Sequence, residues 1–141
     1  MAVLIELVPL CVVEVVLAEP LVIGKGPSGL RLIYEVIDAT VRGDRLVGQL
    51  SGRASADWVT VEGSTGSVDV RMTIATHDEA NILVQYRGRM DLTNGPGSSP
   101  IYVAPLFETG DARYEWLNRI QAVGKGDFKG DRISYEFFEV R

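Results

Sequence analysis

Only one cysteine and one histidine occur in 141 residues. Cys11 has no partner for an intramolecular disulfide and lies inside an apolar run, where a small buried hydrophobe is the ordinary role of a thiol. That usage fits a reducing cytoplasm, the expected location. His77 stands next to Asp78 and Glu79, but three consecutive turn residues diverge, and no second imidazole or thiolate cluster accompanies them. A solvated turn is therefore favoured over a ligand set, and no metal site is expected. Neither a histidine-based triad nor a thiolate nucleophile is easily assembled, so any chemistry falls to carboxylates, tyrosines and arginines.

Basic side chains are the minority, 14 against 19 acidic ones, for a formal charge of -5. A phosphate-neutralising footprint is excluded, and nucleic acid is not an expected partner. Long uncharged apolar runs are also missing. The opening segment Met1 to Ala18 is greasy but lacks a basic leader and carries Glu6 and Glu14. Seven residues between two carboxylates fall far short of the roughly 18 that a spanning helix requires. No membrane partner is expected, and the segment reads as a first strand.

Helical periodicity is nearly absent. Valine, isoleucine, threonine and aromatics dominate instead, with turn residues recurring about every ten positions, the pattern of consecutive antiparallel strands. The expected strands are Ile5 to Ala18, Leu30 to Val41, Arg45 to Ser51, Asp57 to Glu62, Ser67 to Thr76, Asn81 to Met90, Ile101 to Glu108, Asn118 to Val123 and Arg132 to Val140. Glycine-bearing turns lie between them, including Gly24 to Gly29 and Gly124 to Asp127. Asp111 to Asn118 is the one helical turn, with Asp111 placed to cap it. Residues 1–141 thus form a single all-β domain. So many short strands must hide their edges, and a small closed antiparallel β-barrel of about 8–9 strands does so while leaving room for one small ligand. An open sandwich is the alternative. The first strand is apolar on both faces, with Leu10, Val12 and Val16 opposite Cys11, Val13, Val15 and Leu17, so its second face needs a cover; a homo-oligomer supplies one.

Gly24 to Gly29 spells the G-x-G-x-x-G string of dinucleotide sites. That string works by opening a helix onto a pyrophosphate, whereas Pro27 here leads into the strand pattern Leu30-Arg31-Leu32-Ile33-Tyr34. The hairpin reading is preferred, and no cofactor is expected.

Three groups carry possible chemistry. Asp69, Arg71 and Thr73 share one face of their strand opposite Val68, Val70, Met72 and Ile74, and on the next strand Tyr86 faces away from Arg87 and Arg89. If the charged row lines the lumen, Arg71 is a fixed cation for an anionic ligand and Asp69 orients it. If not, it is the wet face of a half-buried strand. Asp57-Trp58 follows a small-residue stretch. A carboxylate desolvated beside an indole gains a pKa suited to acid–base work, while the plain alternative is a turn cap and a core tryptophan.

The string Pro105-Leu106-Phe107-Glu108-Thr109-Gly110-Asp111-Ala112-Arg113-Tyr114-Glu115-Trp116-Leu117-Asn118 resembles the bacterial and fungal family known as domain of unknown function 3237. Leu7-Val8-Pro9-Leu10, Gly43 to Gly48, Ala56-Asp57-Trp58, Asp69-Val70-Arg71 and Tyr86-Arg87-Gly88 extend the resemblance along nearly the whole chain. It implies a small, usually oligomeric β-barrel with an internal pocket and no established general activity. By fold-level analogy with barrel cyclases and isomerases, it implies an isomerase, lyase or cyclase role. Under it Arg71 is expected to face inward. Asp57, Arg71, Tyr86 and Asp38 become catalytic candidates, and Trp58, Asp69, Arg89 and Glu108 ligand-binding ones. Asp38 enters because the family commonly places two small residues before a threonine, where this chain has Asp38-Ala39-Thr40; a lumenal base and a solvent-facing residue are its two readings. The expected function is cofactor-independent proton transfer on a small carbonyl, phenolic or polyketide-like substrate. A noncatalytic small-molecule-binding barrel and a structural assembly protein are the alternatives.

Overall fold

The computed structural model describes residues 2–141, so Met1 of the apolar opening segment lies outside the described residues. Eleven strands follow one another: β1 (Leu7–Leu17), β2 (Leu21–Gly26), β3 (Gly29–Arg42), β4 (Gly48–Leu50), β5 (Ala56–Glu62), β6 (Thr65–Thr76), β7 (Asn81–Asp91), β8 (Ile101–Val103), β9 (Leu106–Glu108), β10 (Ala122–Lys129) and β11 (Arg132–Val140). The ring runs β6-β5-β3-β1-β11-β10-β8-β7, and β7 returns to β6, so eight antiparallel strands close on themselves. The three short strands β2, β4 and β9 are appended to that wall. Closure removes the free edges that so many strands would otherwise leave.

Alternation determines which side chains fill the barrel. On β6, Val68, Val70, Met72 and Ile74 are buried while Asp69, Arg71 and Thr73 alternate away from them. On β11, Ile133, Tyr135 and Phe137 are buried. On β1, Cys11, Val13, Val15 and Leu17 point in, and a register shift between Pro9 and Cys11 buries Leu10 as well. The outer-face valines of β1, Val12 and Val16, are half-buried.

Three sequence expectations change. Asn118 to Val123 is not a strand: a 3₁₀ helix occupies Ala112–Arg119, and β10 then runs straight through the glycines read as a turn. Gly124 and Gly126 face inward, and a Cβ on either would fall 2.5–2.9 Å from the rings of Phe137 and Tyr135. They are glycines because two aromatic rings occupy the space in front of them, so their role is steric. The helix itself begins as expected, with Asp111 Oδ1 accepting the Arg113 N–H at 2.9 Å. The second change is at Gly24 to Gly29, read from sequence as a turn; the chain instead turns at Pro27 and Ser28, and Gly24 to Gly26 belong to β2. Ile101 to Glu108 is also split into β8 and β9, where Ala104 and Pro105 interrupt the pairing.

Among the described residues no helix is long and apolar enough to cross a membrane.

Candidate functional site

The barrel interior is filled unevenly. In its middle, Tyr86, Tyr135 and Phe137 pack edge-on, with ring centroids 5.3–5.6 Å apart, and Phe107 extends the stack against Phe137. Toward the end where β1 finishes and β11 begins, the packing opens into a cavity of about 100 Å³. That is room for several waters or a small ring-sized molecule. Its walls are hydrocarbon from many strands, among them Leu17, Leu32, Val59, Val68 and Ile133, and Leu92 and Pro96 of the β7–β8 loop close it over. Among the described residues, two polar side chains line it, Asp57 and Tyr34.

Asp57 is placed there by the alternation of β5: Asp57, Val59 and Val61 point in, and Trp58 and Thr60 point out. The side chain also edits the sheet. Pairing between β5 and β6 is interrupted opposite Trp58 and Val59 and resumes in the same register at Thr60. At the gap the Asp69 N–H donates to Asp57 Oδ1 at 3.1 Å. Among the described residues no other hydrogen bond reaches this carboxyl, although Asp57 is only 2% exposed. Burial raises its pKa from 3.8 to about 7; the Asp69 amide lowers it and the Asp69 charge raises it further. A carboxyl so tuned exchanges protons in either direction near neutrality.

Three phenols surround that carboxyl electrostatically. Burial raises the pKa of Tyr34, and the charges of Asp57 and Glu19 add to it. Burial also lifts Tyr86 well above its usual range, with Tyr135 and Asp57 contributing. Tyr135 is raised by burial and by Asp57, and its hydroxyl is enclosed without a hydrogen-bond partner. All three stay protonated and are therefore donors. Neither Tyr34 nor Tyr135 is among the site candidates drawn from the sequence, where Tyr34 appears only as part of a strand pattern. Both sit on alternating inward rows, Leu30-Leu32-Tyr34 and Ile133-Tyr135-Phe137, and a phenol at a lumenal position of a barrel strand was the available signal.

Of the eight candidate residues, the barrel brings together Asp57 and Tyr86. The other six lie on the outer face. Arg71, expected to turn inward, is exposed, because Val70 and Met72 take the lumenal positions on either side of it. An unpaired guanidinium in so narrow an apolar lumen would lose its hydration with nothing to replace it. Asp69 also points outward, where it pairs with Arg87 at 3.5 Å, and only its backbone reaches the site. Trp58 is 37% exposed on the outer wall, so it shapes no part of the cavity. Arg89 is exposed opposite Ser67. Asp38 is exposed because Ala39 beside it takes the inward position at 1% exposure. Glu108 is exposed on β9. His77 is exposed on its turn, and among the described residues no group of His, Cys, Asp or Glu is placed to hold a metal ion.

Residues 5–140 match the family model described as "Protein of unknown function (DUF3237)". A β-barrel-like protein from Acinetobacter baumannii is 26% identical and superposes with a TM-score of 0.91, covering 100% of this chain and 99% of its own. A conserved protein of unknown function from Rhodopseudomonas palustris is 21% identical with a TM-score of 0.90, over 99% of this chain and 100% of its own. An enzyme from Penicillium herquei is 21% identical with a TM-score of 0.69, over 96% of this chain and 93% of its own. No curated protein matches the chain.

Proposed function

The chain belongs to the DUF3237 family of proteins of unknown function, and on that premise we propose that its barrel is an enzyme of the isomerase, lyase or cyclase kind, moving a proton on a small carbonyl, phenolic or polyketide-like molecule held in the cavity. One observation carries this reading: among the described residues, a buried carboxyl with a pKa lifted to about 7 is the single carboxyl in a largely apolar cavity whose other polar side chain is Tyr34. Burying such a group opposes folding, and perturbed acids of this kind concentrate at functional sites. The Penicillium herquei enzyme has the same fold, which makes the barrel a scaffold on which catalysis occurs while leaving the chemistry to the site.

In the proposed step the Asp57 carboxylate takes a proton from a carbon next to the substrate carbonyl. The C–H electron pair moves into the carbon skeleton, and the negative charge collects on the carbonyl oxygen. The Tyr34 hydroxyl, the other polar group of the lining, donates to that oxygen. Protonated Asp57 then returns the proton to a different carbon of the delocalised anion, the carbonyl re-forms, and the product is an isomer of the substrate with no net change in oxidation state. Tyr86 and Tyr135, whose pKa values the Asp57 charge helps to raise, stay protonated beside it and add no competing negative charge.

Deuterium incorporation from D₂O tests this. A panel of small ketones and alkylphenols incubated with the protein should exchange carbon-bound hydrogen, followed by NMR, and Asp57→Asn should slow exchange by at least about 100-fold. Undiminished exchange in that variant removes Asp57 from the mechanism. Saturable binding with no exchange in the wild type favours the noncatalytic barrel instead.

We also propose that the protein works as a homo-oligomer. Val3, Leu4 and Ile5 are 70–90% exposed, and Leu21, Val22 and Ile23 lie exposed on β2, which pairs with β3 alone. A second copy covering these residues removes apolar surface and an open strand edge together. Size-exclusion chromatography with light scattering should give a mass of at least two chains; a monomer at micromolar concentration rejects the proposal.

A further inference from the structure

Resting on the proton-transfer reading, we infer that the substrate is uncharged and mostly hydrocarbon, with a single oxygen at the end that meets Tyr34 and Asp57, and that anionic molecules are rejected. Among the described residues no lysine or arginine lines the cavity wall. The nearest expected source of positive charge was the row on β6 and β7, but Arg71, Arg87 and Arg89 are all exposed on the outer face. A carboxylate or phosphate entering the cavity would leave water with no cation to receive it and with Asp57 as its neighbour. Both effects oppose binding.

The groove beside the cavity carries the same sign. Outside the cavity lies an open groove of about 380 Å³, and the two spaces share Leu17, Tyr34 and Phe128 as a common wall. The groove passes between the corner joining β1 to β2 and the turn joining β10 to β11, and its charged side chains are Glu19 and Asp131. Among the described residues no cation lines this groove either. A ligand moving from groove to cavity would meet the carboxylates first, then the two aromatic rings, then Asp57. Long-range attraction would not recruit an anion along that route.

The polar content of the wall limits the ligand's own polar groups. Tyr34 offers one hydroxyl and Asp57 one carboxyl oxygen not taken by the Asp69 amide. A substrate with one oxygen is fully satisfied by these two groups. Each additional buried hydroxyl or amide would lie against hydrocarbon without a partner, a penalty sites of this kind use to discriminate strongly. The remaining contacts are those a ring or short chain of carbon gains from burial.

Three probes of matched shape test the inference: 4-methylphenol, 4-methylbenzoate and 4-methylbenzylammonium, titrated near neutral pH by protein-observed NMR with methyl resonances of Leu17 and Leu32 reporting the site. 4-Methylphenol should bind at least about 100-fold more tightly than 4-methylbenzoate, and Tyr34→Phe should weaken it by about tenfold. Asp57→Asn should narrow the gap by improving benzoate binding. Benzoate binding as tight as the phenol's overturns the inference. So does tightest binding by the ammonium probe, or binding by none of the three. A silent deuterium-exchange assay with the selectivity intact would leave the ligand class standing and remove only the catalytic reading.

Discussion

Asp57→Asn is expected to stabilise the folded protein at pH 8 by roughly 4 kcal/mol while abolishing its chemistry, an estimate that follows from the single-proton linkage. The sign follows from the direction of the shift. Asp57 has a folded pKa of about 7 against 3.8 ordinarily. Below about pH 3.8 both states hold the proton and burial of this group is neutral. Between there and pH 7 the unfolded chain gives up its proton and the folded protein keeps it, so stability falls by about 1.4 kcal/mol per pH unit and levels off above 7. Asparagine does not titrate, and its side-chain oxygen still accepts the Asp69 N–H, so the variant loses the decline without losing the bond that bridges the gap between β5 and β6.

For a chain of this length the gain corresponds to a rise in Tm of about 10 °C at pH 8, shrinking toward zero near pH 4. Other groups do not imitate this. Glu139 is held down to about 2 by the hydrogen bonds of Arg141 and Arg45, and Asp111 to about 2 by Arg113. Their contributions are present above the ordinary carboxyl range and disappear as the pH falls toward 2, the opposite direction and a lower window. Thermal melts of wild type and variant from pH 4 to 8 separate the two. Parallel curves would mean that the Asp57 carboxyl is solvated, and the acid–base proposal would lose its support. A stable variant that no longer exchanges protons would be a case of function maintained against stability.

Much of the barrel was legible because alternation is a local signal. Val68-Val70-Met72-Ile74 against Asp69-Arg71-Thr73 gives β6 its period of two, and Arg132 to Val140 reads the same way. The Asp111 cap was legible for a similar reason, since a capping bond spans two residues. What could not be read depended on partners distant in sequence. Gly124 and Gly126 look like turn residues until Phe137 and Tyr135 are seen in front of them. Two of the eight candidates, Asp57 and Tyr86, lie inside the barrel because each falls on the apolar phase of its strand. Arg71 and Trp58 lie outside because the resemblance to a family with a pocket says which positions matter but not which way they point. Simple alternation placed Arg71 correctly where the analogy turned it around. Tyr34 was passed over as an element of strand pattern, although its phase already put it with Leu32 on the lumenal row.

Gly88→Ala is the substitution expected to damage the barrel most. Gly88 lies on β7 between Val68 of β6 and Val103 of β8, so both of its neighbours belong to the closing wall. A Cβ at this position would sit 1.9 Å from the Tyr102 carbonyl oxygen and 2.7 Å from a methyl of Val103. A ring or a methionine tail could swing aside, but a carbonyl in a ladder can move only with its strand. β8 has three residues, joined to β7 through Val103, Tyr102 and Ile101 and to β10 through the same three. The ring is therefore closed at this point by its shortest strand, and displacing it opens a seam beside Met90 and Ile101, which line the cavity. The expected loss is about 3 kcal/mol or more, a fall in Tm of about 10 °C, together with loss of ligand binding. Gly110→Ala is the control: nothing lies within 4 Å of a Cβ there and its backbone is not in the left-handed region, so the variant should melt with the wild type or slightly above it. A Gly88→Ala protein that melts with the control would mean that β8 yields to the methyl, and the barrel would then be held closed by β6 and β7 and by β10 and β11 without it.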